Sequence, residues 1–363
     1  MNDACMHTEP ALADLRVDAL TAEEFCTYDA WHDALPHGTI YGQRRFADFV
    51  ANVAGGTAEH LVARRGQRIA GVLTFAWRSV AGLGAVLNSL PWYGSHGGCW
   101  LSDSEDHETR VALLARFAER RAEIDPLFST VVMSPLEQPH LATYRAALKP
   151  DVEVDRIGQI SSIPEPGPAL EQRILAGFEG KTRNQVRKSL QQGFSVRAQG
   201  SDADWRFLWE SHVVNMAAIG GQAKPWEHFV AIRRAFPDAR LTTALDGNRP
   251  VAAMLLVPGN RSIEYITPTS LVEERSRQPL TFLIHHGMLW AAEAGFRRWN
   301  WGGTWRTQAS LHHFKQGFGA ADEPYSYLIS GSVSGAELLA SRSADLKTAF
   351  PYWYLFPFDE AVR

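Results

Sequence analysis

The period of the hydrophobic positions changes several times along this chain, and each change marks an element. Thr21 followed by Glu23, Glu24 and Phe25 reads as a helix start, a capping residue with acids in the first turn. Tyr41 to Ala54 places Phe46, Phe49 and Val50 on one helical face. From His60 the period falls to two. HLVARR and RIAGVLTFAWRS are strand-like runs joined across Arg65-Gly66-Gln67, a hairpin with a glycine turn. AVLNSLPWYGSHGG adds an apolar strand that ends in Pro91 and the glycines Gly94, Gly97 and Gly98. Glu105 to Ile124 is an amphipathic helix, acidic early and arginine-rich late, and TVVMSP from Thr130 is a short buried strand.

The same order returns about 180 residues later. Arg240 to Val257 is again strand, glycine turn (Asp246-Gly247-Asn248) and apolar strand, and SIEYITPTS follows, ending in Pro268 as the earlier strand ends in Pro91. Pro279 to Ala294 reads as a helix closed by Gly295, with RRWNWGG as the strand beyond it. Repetition at domain length implies duplication of one α+β unit. The linker SSIPEPGP sets a boundary near residue 165, giving domains 1–165 and 166–330. The aromatic tail FPYWYLFPF lies in the remaining segment, 331–363. Pro351 and Pro357 forbid a long amphipathic helix there, so it is expected to dock back on the first domain.

Two stretches carry candidate chemistry. Ala169 to Gln192 reads as one helix ending at Gly193, and its second half holds Lys181, Arg183, Arg187 and Lys188, with Arg197 just beyond. No acidic residue falls between Lys181 and Gly200. This is either a solvated helix face or an anion-binding surface, on which Arg183 and Arg187, four apart, grip one phosphate. In the second stretch Trp299 and Trp301 alternate with Asn300 as a short buried strand, which Gly302 and Gly303 break. Leu311, Phe314 and Phe318 then share a helical face with Lys315 beside them. That lysine either snorkels to water from a core helix or serves as a fixed cation for an oxyanion or a phosphate.

Composition narrows the field. A chain of 363 residues favours two domains, and 45% hydrophobic with 21% charged residues describes a globular protein. A net charge of -4 requires that any nucleic acid be met by a local patch. Cys5, Cys26 and Cys99 form no CxxC pair, which argues against a disulfide framework and a structural zinc site. His285 and His286, like His312 and His313, are adjacent on helices and point about 100° apart, so no metal is expected. His96-Gly97-Gly98-Cys99 reads as a turn, not a nucleophile pair. With no apolar leader segment and no uncharged apolar run of about eighteen residues, no integral membrane segment is expected and the location is expected to be cytoplasmic.

KTRNQVRKSLQQGFSVR resembles the RNxxRKAxxxG helix of the Fem-type peptidoglycan-bridge aminoacyltransferases and their acetyltransferase-fold relatives. SLPWYGSHGG is similar to that family's SxPYxxxGG segment, PLTFLIHHGMLWAAEAG with WNWGG to its helix–strand stretch, and LHHFKQGFGA to its LxxFKxxxG motif. The matches run in the family's order from residue 40 to residue 330 or so. The resemblance implies an α+β fold of two tandem acetyltransferase-like (GNAT-fold) domains, each a mixed, mainly antiparallel sheet flanked by helices, with a cleft between them. It implies transfer of an aminoacyl group from aminoacyl-tRNA to an amine of a cell-wall, polysaccharide or small-molecule acceptor. Lys315 is then the catalytic residue, with Phe314, Gly302, Gly303 and Arg306 on the donor side. Tyr265 falls on the acceptor side, and Arg183, Arg187 and Lys188 form the phosphate-binding helix. Two departures are plain: no long coiled-coil hairpin, and no clear acceptor-binding basic residues between Gly220 and Trp226.

A CoA-dependent enzyme cradles pyrophosphate on a glycine-rich loop opening the helix after its central strand. Here the two corresponding places read SDSEDHETR, which is acidic, and EERSRQPLTFL, which lacks the glycines and loses an amide at Pro279. No bound cofactor is therefore expected, and aminoacyl-tRNA is the favoured donor. A CoA-dependent N-acyltransferase of the same fold, or a non-catalytic carbohydrate- or peptide-binding tandem domain, stays open as an alternative.

Overall fold

The computed structural model describes residues 15–90 and 96–355; Cys5, Pro91, Gly94 and Phe356 to Phe358 lie outside them. Strand β1 (Leu15–Ala19) leads through helix α1 (Phe25–Asp33) to α2 (Arg44–Val53). The first hairpin is β2 (Thr57–Arg65) and β3 (Arg68–Val80), turned by Gly66 at φ +62°. β4 (Gly84–Asn88), β5 (Cys99–Leu101), α3 (His107–Ile124), β6 (Phe128–Val132), α4 (Leu141–Leu148) and β7 (Val152–Ser162) follow. Then come α5 (Leu170–Gly177), α6 (Gly180–Leu190), β8 (Ser195–Ala198), α7 (Asp202–Ala218) and α8 (Trp226–Ala235). The second hairpin, β9 (Arg240–Asp246) and β10 (Arg249–Pro258), is succeeded by β11 (Ser262–Ser270), α9 (Pro279–Glu293) and β12 (Arg298–Thr304). The chain continues with α10 (Ala309–Gly317), β13 (Ala320–Gly331) and α11 (Val333–Ala349).

The strands form one 13-stranded mixed sheet in the order β1-β2-β3-β4-β6-β13-β7-β12-β11-β10-β9-β8, with β5 paired to β3. Each half repeats one plan: an antiparallel hairpin, a third strand, and a crossover helix returning to a parallel strand. α3 leads to β6, parallel to β4, and α9 leads to β12, parallel to β11. The closing strands are exchanged. β7 ends the first series but pairs with β12, whereas β13 ends the second but pairs with β6. β7 and β13 then pair with each other from Ala320↔Ser161 to Ile329↔Val152, so the sheet runs unbroken past the linker near residue 165.

Alternation along the strands sends apolar side chains to both faces, which is why the inner strands read as continuous apolar runs. On one face of the second half, Met254, Ile263 and Trp299 pack under Phe282 and Met288 of α9 and Val186 of α6. On the other, Leu255 and Val257 meet Phe46 of α2, Leu208 of α7 and Phe229 of α8. In the first half α3 covers Leu73 and Phe75 with Leu113 and Phe117, while Phe350 and Trp353 of the tail cover Val86 and Phe128. α2 contributes Phe46 and Phe49 to one of these clusters and Ala51 to another, so it ties the halves together. The tail is fixed by the Trp353 indole donating to Ala54 O at 3.0 Å and by the Tyr354 amide donating to Asn88 Oδ1 at 2.9 Å.

Four expected boundaries move. The helix read over Ala169 to Gln192 breaks at Phe178-Glu179 into α5 and α6, because the Glu179 amide leaves the helical ladder to donate to Gly317 O at 2.9 Å. Gly302 and Gly303 do not end their strand; they make a bulge, and β12 resumes pairing with β7 at Gly303↔Gly158. β11 likewise runs through Pro268 to Ser270, absorbing Thr267 at φ +49° in a register shift against β10. The extended segment expected at Pro324 begins at Ala320.

Candidate functional site

The centre of the site is the β12 bulge. Gly302 takes φ +75°, and its amide donates to the Asn300 side chain, reaching Oδ1 at 2.8 Å. A Cβ on Gly303 would stand 2.3 Å from Tyr325 Oη, so glycine is what lets the Tyr325 side chain reach from β13 across β7 to β12 there. The bulge turns two carbonyls, of Gly302 and Gly303, toward α10, and Lys315 of that helix reaches them. Its Nζ donates to Gly302 O at 3.2 Å, to Gly303 O at 3.4 Å and to Thr304 Oγ1 at 2.7 Å. Thr304 Oγ1 in turn donates to Gln159 Oε1 at 2.8 Å, and Gln159 Nε2 donates to His312 O at 3.2 Å. The lysine is thus held by a closed circuit of polar groups running back to its own helix.

This inverts the pattern expected of a core helix. Lys315 is 5% exposed, while Leu311 and Phe314 are 39% and 37% exposed. The lysine does not snorkel to water; it points into the fold. Burial drives its pKa down to about 7, and the nearby Arg156 guanidinium adds to the shift. Arg156, from β7, is itself stacked on the Trp305 ring at 3.4 Å. Sequence reasoning missed Arg156, Gln159 and Thr304. No motif or periodicity within β7 or β12 signals them, and it took the strand exchange to set these two strands side by side.

Above the bulge stands an aromatic wall. Trp301 lies 5.0 Å from Tyr265 and 6.2 Å from Phe314 between ring centroids, and its indole donates to Ser161 Oγ at 2.8 Å. Tyr265 Oη is buried without a hydrogen-bond partner among the described residues. β11 and β12 pair only from Ser262↔Arg298 to Glu264↔Asn300 and then separate, and the bulged end of β11 borders a cavity of about 600 Å³. Its walls are α7, residues 268–270 of β11, the start of α9, and Leu311 and Phe314 of α10. Tyr265, Phe314, Lys315, Gly302 and Gly303 are therefore brought together. Arg306 is not part of that group: it is exposed on the turn after β12 and pairs with Asp155 at 3.5 Å.

The basic helix docks beside this group without entering it. Besides the Glu179 amide bond to Gly317, Thr182 packs on Gly317, where a Cβ would stand 2.4 Å from its hydroxyl. Arg183 reaches back to Phe178 O at 2.5 Å and Arg187 donates to Asn184 Oδ1 at 3.1 Å, so the two arginines have separate local partners. Arg197 pairs with Asp204, whereas Lys181, Arg183, Arg187 and Lys188 make no ion pair among the described residues.

A second polar cluster occupies the opposite face of β11. Tyr41 Oη donates to Glu264 Oε2 at 3.0 Å, with Ser262 Oγ 3.4 Å from the other carboxylate oxygen. Burial pushes the Glu264 carboxyl up to about 8 despite these donors. His96 lies between the rings of Tyr41, tilted at 5.2 Å, and Tyr325, edge-on at 4.9 Å, and Cys99 answers to Tyr144 instead of to His96. Between Gly220 and Trp226, where the sequence showed no clear match to the family's acceptor-binding basic residues, Lys224 Nζ donates to Thr267 Oγ1 at 2.8 Å. Burial lowers its pKa to about 8.

Residues 178–325 match the family model described as an acetyltransferase (GNAT) domain. Among solved structures, the chain is similar to one titled as the crystal structure of FemX, with TM-score 0.71 and 16% identity over 90% of this chain and 99% of that one. It is also similar to a tandem GNAT protein from the clavulanic acid biosynthesis pathway, with TM-score 0.51 and 13% identity over 88% and 98% of the chains. A third, L-PGS from Bacillus licheniformis, gives TM-score 0.51 and 13% identity over 90% and 98%. No curated protein matches the sequence. The architecture is that of tandem acetyltransferase-like folds, and no helix among the described residues is long and apolar enough to cross a membrane.

Proposed function

We propose that the chain is an acyltransferase that moves an aminoacyl group from aminoacyl-tRNA to an amine acceptor. One observation carries the reading: a buried lysine is fixed on the β12 bulge by a helix whose Leu311 and Phe314 line a cavity and against which a basic helix docks. In the reaction the acceptor nitrogen attacks the ester carbonyl, the C–N bond forms, and the carbonyl oxygen gathers negative charge. The C–O bond then breaks, and the proton lost by the amine passes to the departing ribose hydroxyl. Lys315 stabilises the developing oxyanion by giving up its longest hydrogen bond, to Gly303 O at 3.4 Å, in favour of the substrate oxygen. One preorganised donor of this kind contributes about 3 kcal/mol, roughly a hundredfold in rate. Phe314 stands on the donor side and Tyr265, with its unpartnered hydroxyl, on the acceptor side.

The donor follows from charge and shape. Gln278 precedes α9 in a left-handed conformation and Pro279 occupies its first turn, which leaves no glycine loop for a pyrophosphate. Lys181, Arg183, Arg187 and Lys188 offer an extended cationic surface instead, suited to a polyanion. The GNAT match and the tandem GNAT neighbour support a second reading, CoA-dependent N-acylation. Fluorescence anisotropy with bulk aminoacyl-tRNA over a salt series separates the two. Binding should weaken steeply with salt, and Arg183→Glu with Arg187→Glu should flatten the log-log slope by roughly 0.7 to 0.9 for each phosphate no longer neutralised. Ribonuclease-insensitive acylation with acetyl-CoA as sole donor would replace this reading with the second.

A further inference from the structure

The cavity of about 600 Å³ beside Phe314 has a one-sided chemistry. Its polar side chains largely satisfy one another. Asn215 Nδ2 donates to Thr269 Oγ1 at 2.6 Å while its Oδ1 accepts from Arg275 at 2.8 Å. His212 Nε2 accepts from the Lys224 amide at 3.1 Å, and Thr281 Oγ1 donates to Gln278 Oε1 at 3.1 Å. Most of what remains to face a ligand is apolar, with Met216, Ile219, Pro268, Leu280, Leu311 and Phe314 foremost. Among the described residues no carboxylate lines the cavity, and its one permanent charge is the Arg275 cation. Ile219, Leu311 and Phe314 are also 75%, 39% and 37% exposed, so three of the larger apolar side chains left in water converge on this mouth.

Resting on the acyltransfer reading above, we infer that this cavity receives the acyl group of the donor and selects an uncharged, apolar one. An aliphatic side chain placed there covers these apolar side chains and frees the water over them. A cationic side chain would lose its hydration with no carboxylate to pair with and Arg275 at the rim to repel it. The cavity therefore excludes a lysyl-type group by charge, not by size, since its volume is ample for either.

The test uses the intact protein and acyl probes on two carriers. 3′-Leucylamido- and 3′-lysylamido-adenosine form one pair, and leucyl- and lysyl-pantetheine amides the other, each with its bare carrier as reference. Calorimetric titration should show the leucyl form binding at least about tenfold tighter than the lysyl form, that is about 1.4 kcal/mol, on whichever carrier binds. Met216→Glu, which places a carboxylate in the wall, should reverse the order, with its melting temperature checked to confirm folding. Leucyl and lysyl forms binding alike, the bare carrier binding as tightly as the acylated one, no probe binding, or no reversal in folded Met216→Glu would each overturn the assignment. Discrimination on pantetheine alone would keep the apolar acyl site while removing aminoacyl-tRNA as the donor.

Discussion

Replacing Lys315 by methionine tests the buried amine without any substrate. The methionine keeps most of the volume and removes the charge, the three donated hydrogen bonds and the proton equilibrium. With the folded pKa near 7 and the ordinary value at 10.5, the unfolded chain binds more protons than the folded one between those two values. Stability contributed by this group therefore rises with pH across that window. Each tenfold in the proton equilibrium is about 1.36 kcal/mol, so the gain from pH 7 to pH 10 is roughly 3 kcal/mol. Other titrating groups act on both proteins and cancel in the comparison. Urea denaturation of wild type and Lys315→Met at pH 7, 8, 9 and 10 should show curves that diverge, the wild type gaining about 3 kcal/mol relative to the variant. Near pH 7 the two should be close, because the lost hydrogen bonds, about 1 to 3 kcal/mol each to buried acceptors, are offset by the desolvation no longer imposed. Parallel curves over the whole range would mean that water reaches the amine and that it keeps its ordinary pKa, and the argument for a buried amine held on the bulge would fall.

Two further outcomes follow from other parts of the structure. The Glu264 carboxyl, raised to about 8 from 4.5, holds protons that the unfolded chain releases, so its contribution falls as pH rises from 4.5 to 8. Glu264→Gln should gain about 3 kcal/mol on the wild type between pH 5 and pH 8 in urea melts, and an unchanged difference would show that the carboxyl is solvated. Trp353→Ala should cost about 3 kcal/mol and expose the tail to protease, since the ring packs so closely on Gly56 that a Cβ there would come within 2.5 Å of it. A wild-type urea midpoint would show that the tail is not part of the folded unit.

Local pattern carried much of the fold. Both hairpins, α2, α3 and α9 fall where periodicity put them, because each buries a face whose spacing is set by its own backbone. The bulge at Gly302 and Gly303 did not, since paired glycines permit a strand end and a strand bulge alike, and only the pairing with β7 decides. Lys315 was legible as an oddity but not in its direction. A lysine beside Leu311 and Phe314 looks like the outer residue of an apolar stripe until Thr304, Gly302 and Gly303 arrive from another strand to bind it. Arg156 and Glu264 were silent for the same reason: each depends on neighbours more than 100 residues away in sequence.

The exchanged strands also set the order in which the molecule comes into being. During synthesis β6 emerges with one edge bare, and the strand that covers it, β13, is translated almost two hundred residues later. β7 meanwhile waits for β12, so neither half of the sheet closes until strands of the second series have been made. An uncovered edge invites pairing with other chains, and such distant partners make for slow assembly. A message cut short before Ala320 thus leaves its damage in the half that was translated first, where β6 has no neighbour to replace the one that never arrives.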